Sequence, residues 1–174
     1  LLITCIVAGV GIYANRAAKQ SLDNMYNYNL MTTQYLNDAN NQVRGMDVDV
    51  AYILQQNFTV DNRKLLLDDV INRLQAIQND VALVKDIDHS KRAQDTIAEL
   101  EKNVDMVLSK VKETENLTDS EADRIKAFNN LSTTSVIASN LSVLTPDNVL
   151  QGKMLFEQNN AVYDRTIKIF IAII

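Results

Sequence analysis

Residues 1–57 begin with the apolar run LLITCIVAGVGI (residues 1–12) and later contain the stretch LNDANNQVRGMDVDVAYI (residues 36–53), with no Pro between them. In the second stretch apolar residues recur every three or four positions, which is the spacing of one face of an α-helix. These residues predict a long helix that ends near Asn57 and turns one apolar face toward other helices. That face is formed by Leu36, Ala39, Val43, Met46, Val50 and Ile53.

Three further helices are predicted from the same spacing. The second runs from residue 61 or 62 to about 87–89, the third follows a Ser90 cap and fades by Asn116, and the fourth starts at a capping box of Thr118 and Glu121. The predicted apolar positions are Leu65, Leu66, Val70, Leu74, Ile77, Val81 and Val84 in the second helix, Ala93, Ile97, Leu100, Val104, Val107 and Val111 in the third, and Ile125, Phe128, Leu131, Val136 and Val143 in the fourth.

Pro146 lies inside the predicted fourth helix. A Pro in a helix interior removes a backbone hydrogen bond and clashes with the preceding turn, at a cost of about 3 kcal/mol. We therefore expect a kink or a break near residues 141–145, with helix resuming through Leu150, Leu155 and Val162.

The composition favours an all-α protein. Only four Gly and one Pro occur among 174 residues, 47% of the residues are hydrophobic, and the net charge is −5 without a basic stripe, so nucleic acid is not an expected partner. The single cysteine, Cys5, excludes a disulfide framework. Two long and two short helices predict an antiparallel up-down-up-down four-helix bundle whose first and last helices are rooted in a membrane.

The two ends of the chain are apolar, and neither run alone reaches the roughly 18 to 20 residues of a membrane-spanning helix. We expect residues 1–12 to be the end of a first transmembrane helix, residues 13–166 an extracytoplasmic bundle, and residues 167–174 the start of a second transmembrane helix. Tyr13, Arg16 and Lys19 suit the headgroup layer. A cleaved signal peptide would account for the first run only, and that run lacks a basic segment before it.

The chain resembles the four-helix-bundle ligand-binding domain of methyl-accepting chemotaxis proteins. The resemblance is carried by organisation and by weak local similarity at GIYA (residues 11–14), MYNYNLM (25–31), DNRKLL (61–66) and AVYDRT (161–166). It implies a receptor in the cell inner membrane whose sensor domain is extracytoplasmic and homodimeric through the first and fourth helices. It also implies a small-molecule ligand, a shift of the last helix by one to two ångströms on signalling, and coupling to a cytoplasmic kinase through regions beyond Ile174.

A candidate ligand site follows from pairing equal heights along the predicted bundle. Arg44 then lies level with Arg73, Lys102 and the hydroxyl residues Thr133 and Thr134. An Arg guanidinium binds a carboxylate with two parallel hydrogen bonds, and hydroxyl groups add short ones. We therefore predict that Arg44, Arg73, Thr133 and Thr134 bind a small anionic ligand such as a carboxylate or an amino acid. The alternative is that Arg44 pairs with Asp47 on the surface and that both threonines are solvated.

No catalytic or metal-binding constellation is present in the sequence. There is no Ser-His-Asp set and no Gly-rich phosphate loop, and the single histidine, His89, lies in a predicted turn, so neither an enzyme nor a cofactor is expected. Two alternatives to a chemoreceptor stay open. One is the sensor domain of a membrane histidine kinase or cyclic-nucleotide enzyme, and the other is a membrane-anchored coiled coil that senses nothing.

Overall fold

The computed structural model describes residues 2–54, 60–88, 90–118 and 120–173, and every secondary-structure element in these ranges is helical. The predicted end of the first helix at Asn57 and the prediction for His89 lie outside them. The elements are α1 (Leu2–Asn24), a π-helical segment (Met25–Leu30), α2 (Met31–Ile53), α3 (Val60–Ile87), α4 (Lys91–Thr114), α5 (Glu121–Leu131), a 3-10 turn (Ser132–Thr134) and α6 (Ser135–Ile173). The predicted all-α class is confirmed.

The chain divides into two compact units. Residues Gln34–Pro146 form the bundle unit, and Leu1–Thr33 with Asp147–Ile174 form the paired-helix unit. The hydrophobic core, which runs from Leu36 to Leu144, lies within the bundle unit. This unit contains four helical segments: most of α2, all of α3, all of α4, and α5 with the start of α6. It is the predicted four-helix bundle.

Side-chain contacts show that α3 is antiparallel to α4 and that α4 is antiparallel to the last helix of the bundle unit. On α3 and α4, Gln78 donates to Asp105 and Lys85 to Glu101, so the residue number falls on one helix as it rises on the other. On α4 and the last helix, Asn130 donates to Thr114 and Asn103 to Asn140, with the same reversal. The predicted up-down order of the helices follows from this pattern.

The predicted apolar faces of α2 and α4 are confirmed at every position, and that of α3 is confirmed from Val70 onward. In α3, Leu67 is buried instead of Leu65, which is 66% exposed. The face predicted for the fourth helix is confirmed at Leu131, which is buried, and at Val136, which is partly buried against the core. It is wrong at Ile125 and Phe128, both 57% exposed, and at Val143, which is 39% exposed. The buried positions there include polar residues and are Ala127, Asn130, Leu131, Thr134, Ile137, Asn140, Leu141 and Leu144.

Two serines cap helices of the bundle unit. The Ser90 hydroxyl accepts a hydrogen bond from the Ala93 N–H at 3.2 Å, as predicted. The α5 cap is Ser120, which accepts from the Asp123 N–H at 3.2 Å, so the predicted pair of Thr118 and Glu121 is wrong. Thr118 instead donates through its hydroxyl and its N–H to the Asp123 carboxylate, and these bonds lower the pKa of Asp123.

Helix α6 contains Pro146 and continues through it without a break. A break near residues 141–145, one of the two expected outcomes, is therefore absent. The turn before Pro146 is supported by a side chain, because the Thr145 hydroxyl donates to the Leu141 carbonyl at 3.1 Å. The departure from α-helical geometry in this region comes earlier, at the 3-10 turn of Ser132–Thr134.

The paired-helix unit consists of α1, the π-helical segment, the first residues of α2 and the second part of α6. Asn29 is hydrogen-bonded to Asn148, and the earlier residues Ala14 and Ala18 share a groove with the later residues Asn159 and Val162. The first helix and α6 are therefore antiparallel in this unit. In the described part of the chain no helix combines the length and the apolar character needed to cross a membrane.

Candidate functional site

Arg73 on α3 forms a bridge to α2 inside the bundle unit. Its Nε donates to Asp49 Oδ2 at 2.7 Å and its Nη1 donates to Gln42 Oε1 at 3.2 Å. The Asp49 side chain is 11% exposed and that of Arg73 is 33% exposed. A guanidinium carries five N–H donors, so this bridge leaves donors on Arg73 that a further acceptor can use.

Gly45 makes room for this bridge. A Cβ atom at Gly45 would overlap the Nη1 and Cζ atoms of Arg73, so the guanidinium lies directly against the α2 backbone. A glycine costs about 1 kcal/mol relative to alanine in a helix interior, which is offset here by the close approach of a charged group to its partners.

Thr133 and Thr134 lie in the 3-10 turn, and both use their hydroxyl hydrogens within the helix. Thr133 donates to the Asn130 carbonyl at 2.6 Å and Thr134 to the Leu131 carbonyl at 2.8 Å. Thr134 is buried and Thr133 is half-buried. In this conformation the hydroxyl oxygens act as acceptors, and a carboxylate ligand would require the Thr133 hydroxyl to rotate.

Arg44 is exposed on α2, next to the glycine that Arg73 covers, and the described residues give it no ion pair with Asp47. The structure thus places Arg44 and Arg73 at one height, as predicted. Because Gln78 is paired with Asp105, Arg73 lies level with the last turns of α4. Asn130 is hydrogen-bonded to Thr114 in those same turns of α4. Thr133, three residues after Asn130, therefore lies at about the same height along the bundle as Arg73.

Lys102 does not belong to this level. Its neighbour Asn103 bonds to Asn140 at 2.8 Å, which places Lys102 near residue 140 and away from residues 132–135. Counting equal numbers of residues from each turn failed here because α4 is offset along the bundle relative to α3. Spacing alone did not indicate that Asp49 and Gln42 hold Arg73, although glycine is the residue that lets another group approach the backbone closely.

The paired-helix unit contains a second polar cluster, formed by Asn29, Thr33 and Asn148. Asn29 Nδ2 donates to the Asn148 carbonyl at 3.0 Å, and Asn148 Nδ2 donates to Thr33 Oγ1 at 2.7 Å. Asn148 is 4% exposed. The apolar spacing of the first helix did not reveal this polar cluster.

A groove of about 510 Å³ lies beside this cluster in the same unit. It is lined by side-chain amides, one tyrosine and two apolar side chains, with no charged group among them: Gln20, Asn24, Tyr28, Gln151, Met154, Leu155 and Gln158. Tyr28 is the aromatic residue of this lining.

Comparison with protein families identifies this arrangement of helices. The model of a family described as the four helix bundle sensory module for signal transduction matches residues 1–105, about three fifths of the chain. The chain belongs to this family. No curated protein and no solved structure matches it.

Membership in the sensory-module family accords with the bundle unit, whose first two helices and part of the third fall inside the matched residues. The resemblance to chemotaxis receptors is thereby confirmed at the level of the family. The family is a signalling module and not a family of enzymes. Of the predicted site, Arg44 and Arg73 lie within the matched residues, whereas Thr133 and Thr134 follow them.

Proposed function

We propose that this sensory module is the extracytoplasmic ligand-sensing domain of a transmembrane chemoreceptor. In this proposal residues 13–166 form the sensor domain, and residues 1–12 and 167–174 belong to transmembrane helices of the inner membrane. Binding of a small molecule shifts the last helix slightly and changes the activity of a cytoplasmic kinase through regions outside this chain.

The observation that supports the proposal is the position and hydrogen bonding of the Arg73 guanidinium. Its guanidinium is half-buried, fixed by Asp49 and Gln42, and retains unused donors at the height of Thr133 and Thr134. A preorganised cation loses little conformational entropy on binding, which favours affinity. The exposed Arg44 on the adjoining helix supplies a second positive charge, so a small carboxylate or amino acid is the ligand that fits.

Exposed apolar side chains support assembly into a homodimer. Four of them lie on the first and last helices of the bundle unit, where a signalling dimer would make contact, and exposed apolar residues at such positions are candidates for an interaction site. They are Val48 at 53%, Tyr52 at 47%, and Ile125 and Phe128 at 57% exposure.

The ligand proposal is tested by a thermal-shift screen of the full chain against amino acids and organic acids, followed by calorimetry with the ligands found. Arg44→Ala and Arg73→Ala are each expected to weaken binding about tenfold or more, because a hydrogen bond to a charged group contributes roughly 1.5–3 kcal/mol. Lys85→Ala is the matched control, since Lys85 also bridges two helices, to Glu101 at 2.9 Å, but lies far from this level. Equal loss of affinity in all three variants, or none, would refute the site.

A further inference from the structure

The groove of about 510 Å³ in the paired-helix unit is rich in side-chain amides. Four of its seven lining residues carry a carboxamide, and they come from both helices: Gln20 and Asn24 from α1, and Gln151 and Gln158 from α6. The groove that contains Ala14 and Ala18, in the same unit, has one amide among its seven lining residues and is otherwise mainly apolar. The amides are therefore concentrated in one of the two grooves, which we call the amide groove.

The amide groove continues along the helices. A neighbouring hollow of about 240 Å³ shares four lining residues with it and extends to Val162 of α6. From Gln151 to Val162 the groove follows α6 for about 16 Å, at the rise of an α-helix. Its volume lies within the roughly 300–1,000 Å³ that is typical of small-molecule sites. An elongated molecule of more than one ring fits these dimensions.

Three of the amides are available to a ligand. The side chains of Gln20, Asn24 and Gln158 make no hydrogen bond to the part of the chain that the structure describes. A carboxamide carries two N–H donors and an acceptor oxygen, and the Tyr28 hydroxyl adds one more donor and acceptor. A molecule lying in the groove can therefore both donate to and accept from the two helices.

The π-helical segment Met25–Leu30 turns Tyr28 toward this groove. Half-buried residues before the segment follow the three-and-four spacing of an α-helix up to Asn24, but the next half-buried position is Asn29. In an uninterrupted α-helix the inward position would be Tyr28, four residues after Asn24. The wide turn leaves the Tyr28 ring 42% exposed at the groove instead. Such turns are frequent at functional sites.

The lining favours an uncharged ligand. No acidic or basic side chain is among the described lining residues of the amide groove. A charged molecule loses hydration on entering a site that offers it no opposite charge. A flat nucleobase fits less well than a polyhydroxylated molecule, because its two apolar faces both need cover and Tyr28 is the one aromatic residue of the lining.

We propose that the amide groove binds a neutral carbohydrate of two or more sugar rings. Sugar hydroxyls donate and accept, and they project from every edge of the ring, which matches carboxamides on both helices. Tyr28 offers a flat face to the C–H groups of one ring, and Met154 and Leu155 form the apolar part of the lining. Carbohydrate binding here requires neither Arg44 nor Arg73, so the two sites can be tested independently.

Calorimetry and saturation-transfer NMR of the full chain with cellobiose, lactose, sucrose and trehalose test this site, with no glycoside detergent present. At least one of these disaccharides is expected to bind, with a dissociation constant in the millimolar range or lower. Adenine, which is neutral and flat, and gluconate, which is charged, are the comparison compounds. Both are expected to bind more weakly than the best disaccharide.

Variants assign the binding to the groove. Gln158→Met keeps the length of the side chain and removes the amide, so it is expected to weaken binding of the best disaccharide about three- to tenfold. Tyr28→Ala removes the flat face and is expected to weaken binding by a similar factor. Gln75→Met is the matched control, since Gln75 is an exposed glutamine on α3, outside the groove. Circular dichroism confirms that the variants are folded.

Three results would overturn the proposal: no binding of any of the four disaccharides, binding of adenine or gluconate as tight as that of the best disaccharide, or equal affinity in the two groove variants and the control. Sedimentation of the same variants examines a second copy of the chain as the occupant. Weaker self-association with unchanged disaccharide affinity would assign the groove to a dimer contact and refute the carbohydrate site.

The arginine variants separate this site from the carboxylate site. Arg44→Ala and Arg73→Ala are expected to leave disaccharide binding unchanged, because both residues lie in the bundle unit. If disaccharides bind and no carboxylate or amino acid does, the amide groove stands and the Arg73 site fails. Loss of disaccharide binding in the arginine variants would show that the sugar does not occupy the groove.

Discussion

Gly45 is the residue at which two stability effects oppose each other. Alanine is a better helix former, by about 1 kcal/mol, but its Cβ would displace the guanidinium that bonds to Asp49 and Gln42. Since a hydrogen bond to a charged group contributes roughly 1.5–3 kcal/mol, we expect Gly45→Ala to lower the free energy of unfolding by about 1 kcal/mol.

The same substitution should change sign once Arg73 is absent. In an Arg73→Ala background, Gly45→Ala is expected to stabilise the protein by about 1 kcal/mol, because only helix propensity remains. Chemical denaturation of the four proteins of this double-mutant cycle measures both effects. Additive changes would show that Gly45 does not serve the Arg73 bridge.

Asp80 on α3 makes the stability of the bundle depend on pH. Partial burial, together with the nearby charge of Asp38, raises the pKa of Asp80 above its ordinary value of 3.8. The native state then binds more protons than the unfolded state, so this group lowers stability as pH rises from 3.8 through the raised pKa.

Asp80→Asn is therefore expected to stabilise the protein at pH 7, with the gain declining as the pH falls toward 3.8. Asp38→Asn should give a smaller gain of the same sign, because the larger cause, burial of Asp80, remains. Denaturation midpoints measured across this pH range separate the two variants. A gain that is constant with pH would contradict the assignment to Asp80 ionisation.

Pro146 lies inside helix α6 and lowers its stability, and a substitution can remove this effect. Pro146 is exposed, and the helix continues on both sides of it. Replacing it with alanine restores a backbone N–H and relieves the clash with the preceding turn, so Pro146→Ala is expected to raise the free energy of unfolding by about 1–3 kcal/mol. Ser142→Ala, at the exposed position four residues earlier, is the control and should change stability by less than about 0.5 kcal/mol.

The sequence predicted α4 far better than the last helix, and the reason is chemical. In α4 every inward position from Ala93 to Val111 is apolar, so the spacing of apolar residues indicates a single buried face. In the last helix Asn130, Thr134 and Asn140 are buried while Ile125 and Phe128 are exposed. Polar residues paired inside and apolar residues outside give two competing faces, and spacing alone cannot choose between them.

The candidate site was also predicted only in part from the sequence. The shared height of Arg44, Arg73 and Thr133 follows from helix lengths, which the sequence contains. The bond from Arg73 to Asp49 depends on rotamers and on the missing Cβ of Gly45, which no spacing rule reports. Asn148 was not recognised as a partner of Asn29 because the two are 119 residues apart in the chain.

For the whole chain, the position of the core predicts which part folds alone. All residues of the hydrophobic cluster, from Leu36 to Leu144, belong to Gln34–Pro146. We expect a fragment of residues 34–146 to be helical and to unfold cooperatively, as small single domains do. Circular dichroism with denaturant measures this, and a gradual, non-cooperative loss of helix would contradict it.

The π-helical segment has a further consequence for how the length of this chain can vary. A π turn holds one residue more than the α-helical turn it replaces. Deleting one residue among 25–28 would reduce the interval between Asn24 and Asn29 from five positions to four, which is an α-helical spacing, and would leave the inward faces on both sides intact. A single-residue deletion is therefore tolerated in this segment, unlike elsewhere along the first helix, where it would turn every later inward residue away from its partner.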